Sequence, residues 1–179
     1  VMECALDVDE LWSKHGATKD YTTEELIFAA LNHDLGKIGD GVNDSYIPET
    51  SDWHRKNQGS MYKPNPEVDF MLIQDRSLFL LQKYGIKMSQ KEYMGIRLHD
   101  GMYDDANKAY FVGYNPDAKF RTNIVYVLHQ ADFLASKVEY DRWKQGEVVS
   151  PVNKPKKTTS STGRPTVSSE GLLNSIKNL

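Results

Sequence analysis

The stretch Ala30-Leu31-Asn32-His33-Asp34-Leu35-Gly36-Lys37-Ile38-Gly39 closes an apolar segment with two adjacent polar side chains and a glycine. Just upstream, Thr22-Thr23-Glu24-Glu25 is a helix-start signature with acids in the first turn, followed by Leu26, Ile27, Ala29, Ala30 and Leu31. This pattern predicts a helix that delivers His33 and Asp34 at its C-terminal end. Working outward, Val1, Ala5, Leu6, Val8 and Leu11 sit at helical spacing, predicting a first helix over residues 1–14 that stops at His15-Gly16. Val68, Met71, Leu72, Leu78, Leu80 and Leu81 predict helical structure from Pro66 to about Tyr84, broken near Asp75, and Ser89 caps a further helix running to His99. From about Thr122 to Gly146, Ile124, Val125, Val127, Leu128, Ala131, Leu134, Ala135 and Val138 recur at three and four, predicting the longest helix. The expected fold class is all-α.

Between these helices, residues 38–66 hold Gly, Asn, Asp and Pro with no sustained period and read as one long loop, which carries Trp53-His54-Arg55-Lys56. Residues 100–120 read as a second loop, in which Ala109-Tyr110-Phe111-Val112 forms either a strand or an extended lid. After Ser150 the composition turns to Pro, Lys, Ser and Thr, which cannot bury enough apolar surface to order itself. Residues 150–167 are therefore expected to be a flexible linker, and residues 168–179 a short helix or docking peptide.

The 179 residues fit one ordinary domain with a tail. Cys4 is the only cysteine, so no disulfide framework is available within the chain, in keeping with a reducing cytoplasm. No apolar run approaches the roughly 20 residues needed to cross a bilayer, and no secretory leader opens the sequence. A net charge of −3 argues against a dedicated nucleic-acid surface while leaving room for a local basic pocket.

An imidazole beside a carboxylate, as at His33-Asp34, suits a hard or borderline divalent ion. On the long helix, His129 and Asp132 lie three apart and share a face among apolar neighbours. A carboxylate on such a face is costly to bury unless it is paired or coordinates a cation. Asp132 is thus read as a metal ligand or as the partner of Lys137, Arg142 or a helix N-terminus, and His129 as a satisfied core histidine. Trp53, Tyr62, Tyr103, Tyr110 and Tyr114 fall in the loops, where they either stack on a base or pack ordinarily.

Residues 30–39 together with Leu128-His129-Gln130-Ala131-Asp132-Phe133-Leu134-Ala135-Ser136, in this order and separation, resemble the HD superfamily of metal-dependent phosphohydrolases. The resemblance covers residues 1 to about 145 and implies an HD-domain helical bundle over residues 1–149. It implies that His33, Asp34 and Asp132 bind a divalent metal ion, one or two per site, drawn from Mn, Mg, Fe, Co, Ni or Zn. The implied reaction is attack of metal-bound water on a nucleotide or related phosphate ester, with Asp34 and Lys37 catalytic. Lys37, Arg55, Lys56, Arg97 and Tyr103 are the expected substrate-binding residues, each cation having a solvated surface charge as its alternative.

That family carries a first histidine on the helix before the His-Asp pair. Helix 1–14 has none and His15 lies past its end, so the missing ligand is expected upstream of Val1, the alternative being a degenerate, inactive member. His54 and His99 look like ligands of the two-metal branch, and His99-Asp100-Gly101-Met102-Tyr103 is similar to an element of the HD-GYP phosphodiesterases. They are expected to bind metal, or else to contact phosphate or donate protons. The rival readings are a cyclic-dinucleotide phosphodiesterase and a silent nucleotide-binding protein that docks a partner, or a second copy, through residues 168–179.

Overall fold

The computed structural model describes residues 1–113, 117 and 122–145, all within one compact unit. The expected linker 150–167, the terminal peptide 168–179, Gly146 and Tyr114 lie outside the described residues. The described chain is mostly helical, with helices α1 (Met2–Lys14), α2 (Thr23–Asn32), α3 (Asp52–Gln58), α4 (Ile73–Lys83), α5 (Gln90–Leu98), α6 (Lys108–Phe111) and α7 (Ile124–Lys144). Strands β1 (Tyr46–Pro48) and β2 (Tyr62–Pro64) pair antiparallel with Tyr46 opposite Pro64. No described helix is long and apolar enough to cross a membrane.

Helices α2, α5 and α7 carry the core. Leu26, Ala29 and Ala30 from α2 meet Ile96 and Leu98 from α5 and Ile124, Val125, Val127, Leu128 and Ala131 from α7, all buried, while α1 closes the cluster with Ala5 and Val8. Small residues set the spacing, since a Cβ on Gly95 of α5 would sit only 3.1 Å from the Ala29 Cβ of α2. Both helices begin with a complete capping box, Thr22 with Glu25 and Ser89 with Glu92. The Ser89 hydroxyl also donates to Glu25 Oε1 at 2.7 Å, tying the two N-termini together.

Three expectations are corrected. The segment 38–66 is not one loop: two three-residue strands flank the seven-residue α3, which is capped by Ser51 and closed by left-handed Gly59. Elements that short show no period to read. The helix expected from Pro66 begins only at Ile73 and runs unbroken through Asp75, because Pro66 and Glu67 are spent on a turn closed by the Val68 N–H on the Asn65 carbonyl oxygen. Residues 109–112 are neither strand nor extended lid, since Lys108–Phe111 makes one helical turn. The described chain remains compatible with the all-α expectation, being mostly helical with one small two-stranded sheet.

After Asp34 the chain turns through the 3-10 segment Leu35–Ile38, which packs on α4. Gly36 lies so close to α4 that a Cβ would fall 2.2 Å from the Ile73 carbonyl oxygen. The Gly36 N–H donates to Ser77 Oγ at 2.8 Å, and Ser77 in turn donates to the carbonyl oxygens of His33 and Ile73, each at 3.0 Å. Ser45 Oγ donates to the Gly36 carbonyl and receives the buried Arg76 guanidinium at 2.8 Å, and Arg76 also donates to the Asp69 carbonyl. The turn that presents Asp34 is therefore held by buried polar groups with partners on both sides.

Replacing Gly36 with Ala should cost about 1–3 kcal/mol, because the obstacle is backbone that cannot yield. Ser77→Ala strands the buried Gly36 N–H and should cost a similar ~1–3 kcal/mol. Equilibrium chemical denaturation checks both, and curves superimposable on the wild type would refute the close packing.

Candidate metal centre

Two helices end alike. At the end of α2, His33 keeps helical geometry and its Nδ1 lies 2.9 Å from the Ala30 carbonyl oxygen; at the end of α5, His99 repeats this with the Ile96 carbonyl at 2.8 Å. A carbonyl only accepts, so Nδ1 carries the proton in both rings and each Nε2 presents a lone pair when the ring is neutral. Anchoring the far nitrogen on a backbone carbonyl is the usual support for a metal-binding histidine. The two buried rings meet edge to face, centroids 4.8 Å apart, and each is followed in sequence by an aspartate.

Around these nitrogens the carboxylates gather. His33 Nε2 lies 3.2 Å from Asp34 Oδ2 and 3.4 Å from Asp132 Oδ1 of α7, whereas His99 Nε2 lies 3.8 Å from Asp34 Oδ1 and 3.5 Å from Asp100 Oδ1. Within this crowd His33 Nε2 is buried and makes no hydrogen bond. A lone pair facing two carboxylate oxygens is repulsive unless a positive charge stands between them. Asp9 shows the contrast: it is buried too, but Lys19 Nζ reaches it at 2.6 Å and the Tyr21 hydroxyl at 2.8 Å, so it demands nothing further.

Among the described residues, two overlapping groups of side chains could hold a metal ion: His33, Asp34 and His99, and His99, Asp100 and Asp132, with ligand atoms within 4.8 Å of one another in each. Mixed imidazole and carboxylate donors suit a borderline divalent cation such as Mn, Fe, Co, Ni or Zn, and the unsatisfied His33 nitrogen fits that role. Without an ion, a proton is the substitute. Burial works against charging His33, yet Asp132 and Asp34 push its pKa up to about 9. Burial likewise opposes ionisation of Asp34, but His33 and Lys37 hold its carboxyl below the usual range. For Asp132 the hydrogen-bonding influence of His33 outweighs burial and again lowers the pKa.

The structure brings together His33, Asp34, His99 and Asp132, and adds Asp100, which sequence reasoning passed over. Its signal was there: His99-Asp100 is a second His-Asp pair closing a capped helix. Lys37 Nζ lies 2.6 Å from Asp34 Oδ2 at the rim, and although burial lowers its pKa, Asp34 raises it overall. His129 Nδ1 donates to the His99 carbonyl at 2.7 Å and its ring packs on Gly101, a position of φ +56° where a Cβ would come within 2.7 Å of the imidazole. It is a satisfied, half-buried histidine that links α7 to the end of α5.

The other candidates lie elsewhere. His54 Nδ1 is 3.6 Å from Glu49 Oε2 and its ring lies against Trp53; it is not among the grouped ligands. Arg55 and Lys56 stand exposed in the last turn of α3. Arg97 is engaged with Asp75 at 2.9 Å, Asp104 at 3.5 Å and Asn107 at 2.8 Å, which braces the segment after His99. His15, at the end of α1, is exposed. Trp53, Tyr62 and Tyr110 are largely exposed, whereas Tyr103 lies beside Asp100 and Asp132 in a shallow recess.

Chelator-stripped protein titrated calorimetrically with Mn or Co should bind the ion near neutral pH and release a proton, because His33 holds one below about 9. The heat should therefore vary with the buffer's ionisation enthalpy, and Asp34→Asn or His99→Gln should weaken binding about tenfold or more. A buffer-independent heat would show that the ion displaces no proton. Compared with known proteins, the chain matches no family model, no curated protein and no solved structure.

Proposed function

We propose that this chain is a metal-dependent phosphohydrolase of the HD type, acting on a nucleotide or related phosphate ester, with residues 1–149 as its catalytic domain. The observation that carries the reading is the convergence of Asp34 and Asp132, far apart in the chain, on the buried His33 Nε2 at 3.2 and 3.4 Å. The His-Asp resemblance of residues 30–39 and 128–136 supplies the reaction class.

In this reading His33, Asp34, His99 and Asp132 hold the cation, with Asp100 at its edge. A divalent ion there supplies Lewis acidity toward a phosphoryl oxygen and lowers the pKa of water. The chain's own contribution is preorganisation. Nδ1 of each histidine is fixed on a carbonyl, so the imidazoles need no reorientation to ligate. Lys37 keeps Asp34 ionised and aimed, acting as a positioning residue through its 2.6 Å ion pair.

A panel of nucleoside mono-, di- and triphosphates, cyclic dinucleotides and simple phosphomonoesters, assayed with Mn, Mg, Co and Ni, should reveal metal-dependent release of phosphate or cleavage of the diester. Asp34→Ala combined with Asp132→Ala should abolish turnover while the protein stays folded by circular dichroism. Lys37→Met should lower metal affinity or kcat by about 10–100-fold, the usual cost of losing a group that orients a ligand. Turnover untouched in the double variant would rule the assignment out.

A further inference from the structure

A pocket of about 530 Å³ opens between the β1–β2 hairpin and the start of α4, on residues that the candidate metal centre does not use. Tyr46 and Pro64, paired across the hairpin, contribute one wall. The segment leading into α4 supplies Phe70, Met71 and Leu72, with Arg76 one turn further on.

Burial separates Arg76 from the other cations. Exposed lysines and arginines that lack an acid still have water, whereas Arg76 is only 6% exposed and no other described lysine or arginine is buried. Arginines are rarely buried so far without a carboxylate partner. Arg97 has Asp75 and Asp104, but among the described residues Arg76 donates to two neutral oxygens alone, the Ser45 hydroxyl and the Asp69 carbonyl. A guanidinium cannot shed its proton, so its charge and most of its five N–H donors are left for something else.

The helix beside it points the same way. α4 starts at Ile73, and Leu72 in the capping position offers no side-chain oxygen to the free N–H groups of the first turn. Both residues line the pocket, so the positive end of a helix adds to the guanidinium there. The acids nearby do not answer either charge: Asp75 is engaged by Arg97 at 2.9 Å, and Asp69 is exposed, where water screens its carboxylate. Beyond this cationic end the lining is apolar, with Phe70 92% exposed, Tyr46 44% and Met71 38%. Contiguous apolar area left to water marks a binding surface, and the volume falls within the ~300–1,000 Å³ of small-molecule sites.

We propose that this pocket binds a small amphipathic carboxylate, its headgroup on the Arg76 guanidinium and the α4 N-terminus, its apolar body against Tyr46, Phe70 and Met71. The planar guanidinium matches the edge of a carboxylate, and one cation with Asp69 nearby suits a single negative charge better than two. The site stands apart from the phosphohydrolase reading, since it shares no residue with His33, Asp34, His99, Asp100 and Asp132.

Calorimetric titration of the full chain with octanoate, 1-octanol, octyltrimethylammonium and acetate, each below its micellar range, is the test. Octanoate should bind at millimolar concentration or tighter, at least about tenfold more tightly than octanol or the ammonium, and acetate should give no signal. Phe70→Ser and Met71→Ser, both at exposed positions, should each weaken octanoate about threefold or more. Arg76→Gln should bring octanoate down to the affinity of octanol and leave octanol unchanged. Should Arg76→Gln fail to fold, the wild-type headgroup series and the two surface variants decide. The proposal is overturned if octanoate does not bind at millimolar concentration, if octanol binds as well as octanoate, or if Phe70→Ser and Met71→Ser both bind octanoate as the wild type does.

Discussion

Two half-buried carboxylates and two buried imidazole nitrogens converge on one point, and the architecture around them holds the acids together. Asp34 and Asp132 stand within 3.4 Å of the same His33 nitrogen, although α2 and α7 lie nearly a hundred residues apart in sequence. Like charges brought into a low-dielectric interior separate unless a cation or a proton joins them. The helices cannot separate, because their apolar faces form the core: Ala29 and Ala30 sit directly upstream of His33, and Leu128 and Ala131 directly upstream of Asp132. Hydrophobic burial thus holds in place an electrostatic arrangement that would not assemble by itself.

Around that point the polar scaffolding is nearly closed. Ser77 ties the His33 carbonyl to the Gly36 amide, Ser45 and Arg76 secure the far side of the turn, and His129 secures the His99 carbonyl. Every one of these groups uses its hydrogen-bonding capacity on backbone or on another scaffold residue. Among the described residues, the buried side-chain nitrogens that make no hydrogen bond are His54 Nδ1, out on α3, and His33 Nε2, aimed at the acids. A protein seeking only stability would do better with apolar side chains there, since a buried charge cluster costs more than it returns.

Much of this was legible from periodicity. The long amphipathic helices, the capping signatures at Thr22 and Ser89, and the placing of His33 and Asp34 at a helix end all follow from apolar spacing and cap chemistry, which act locally. The short elements were not legible: α3 has seven residues and the strands three each, too few for a period to emerge. Nor could sequence tell which of several histidines converge. His54 and His99 looked equivalent as residue types, yet one ends a core helix and the other sits on an exposed one beside Glu49. Arg97 illustrates the same limit, for its adjacency to His99 suggested a substrate contact while its guanidinium braces Asp75 and Asp104.

The overlap of the two ligand groups at His99 carries one more implication. Its Nδ1 is spent on the Ile96 carbonyl, leaving a single electron pair on Nε2, and an imidazole nitrogen, unlike a carboxylate, cannot bridge two ions. His99 thus belongs to both triads while having one nitrogen to give. Passing from one triad to the other would exchange His33 and Asp34 for Asp100 and Asp132 around the same His99 nitrogen, so the choice of seat would be a choice between an imidazole-rich and a carboxylate-rich shell.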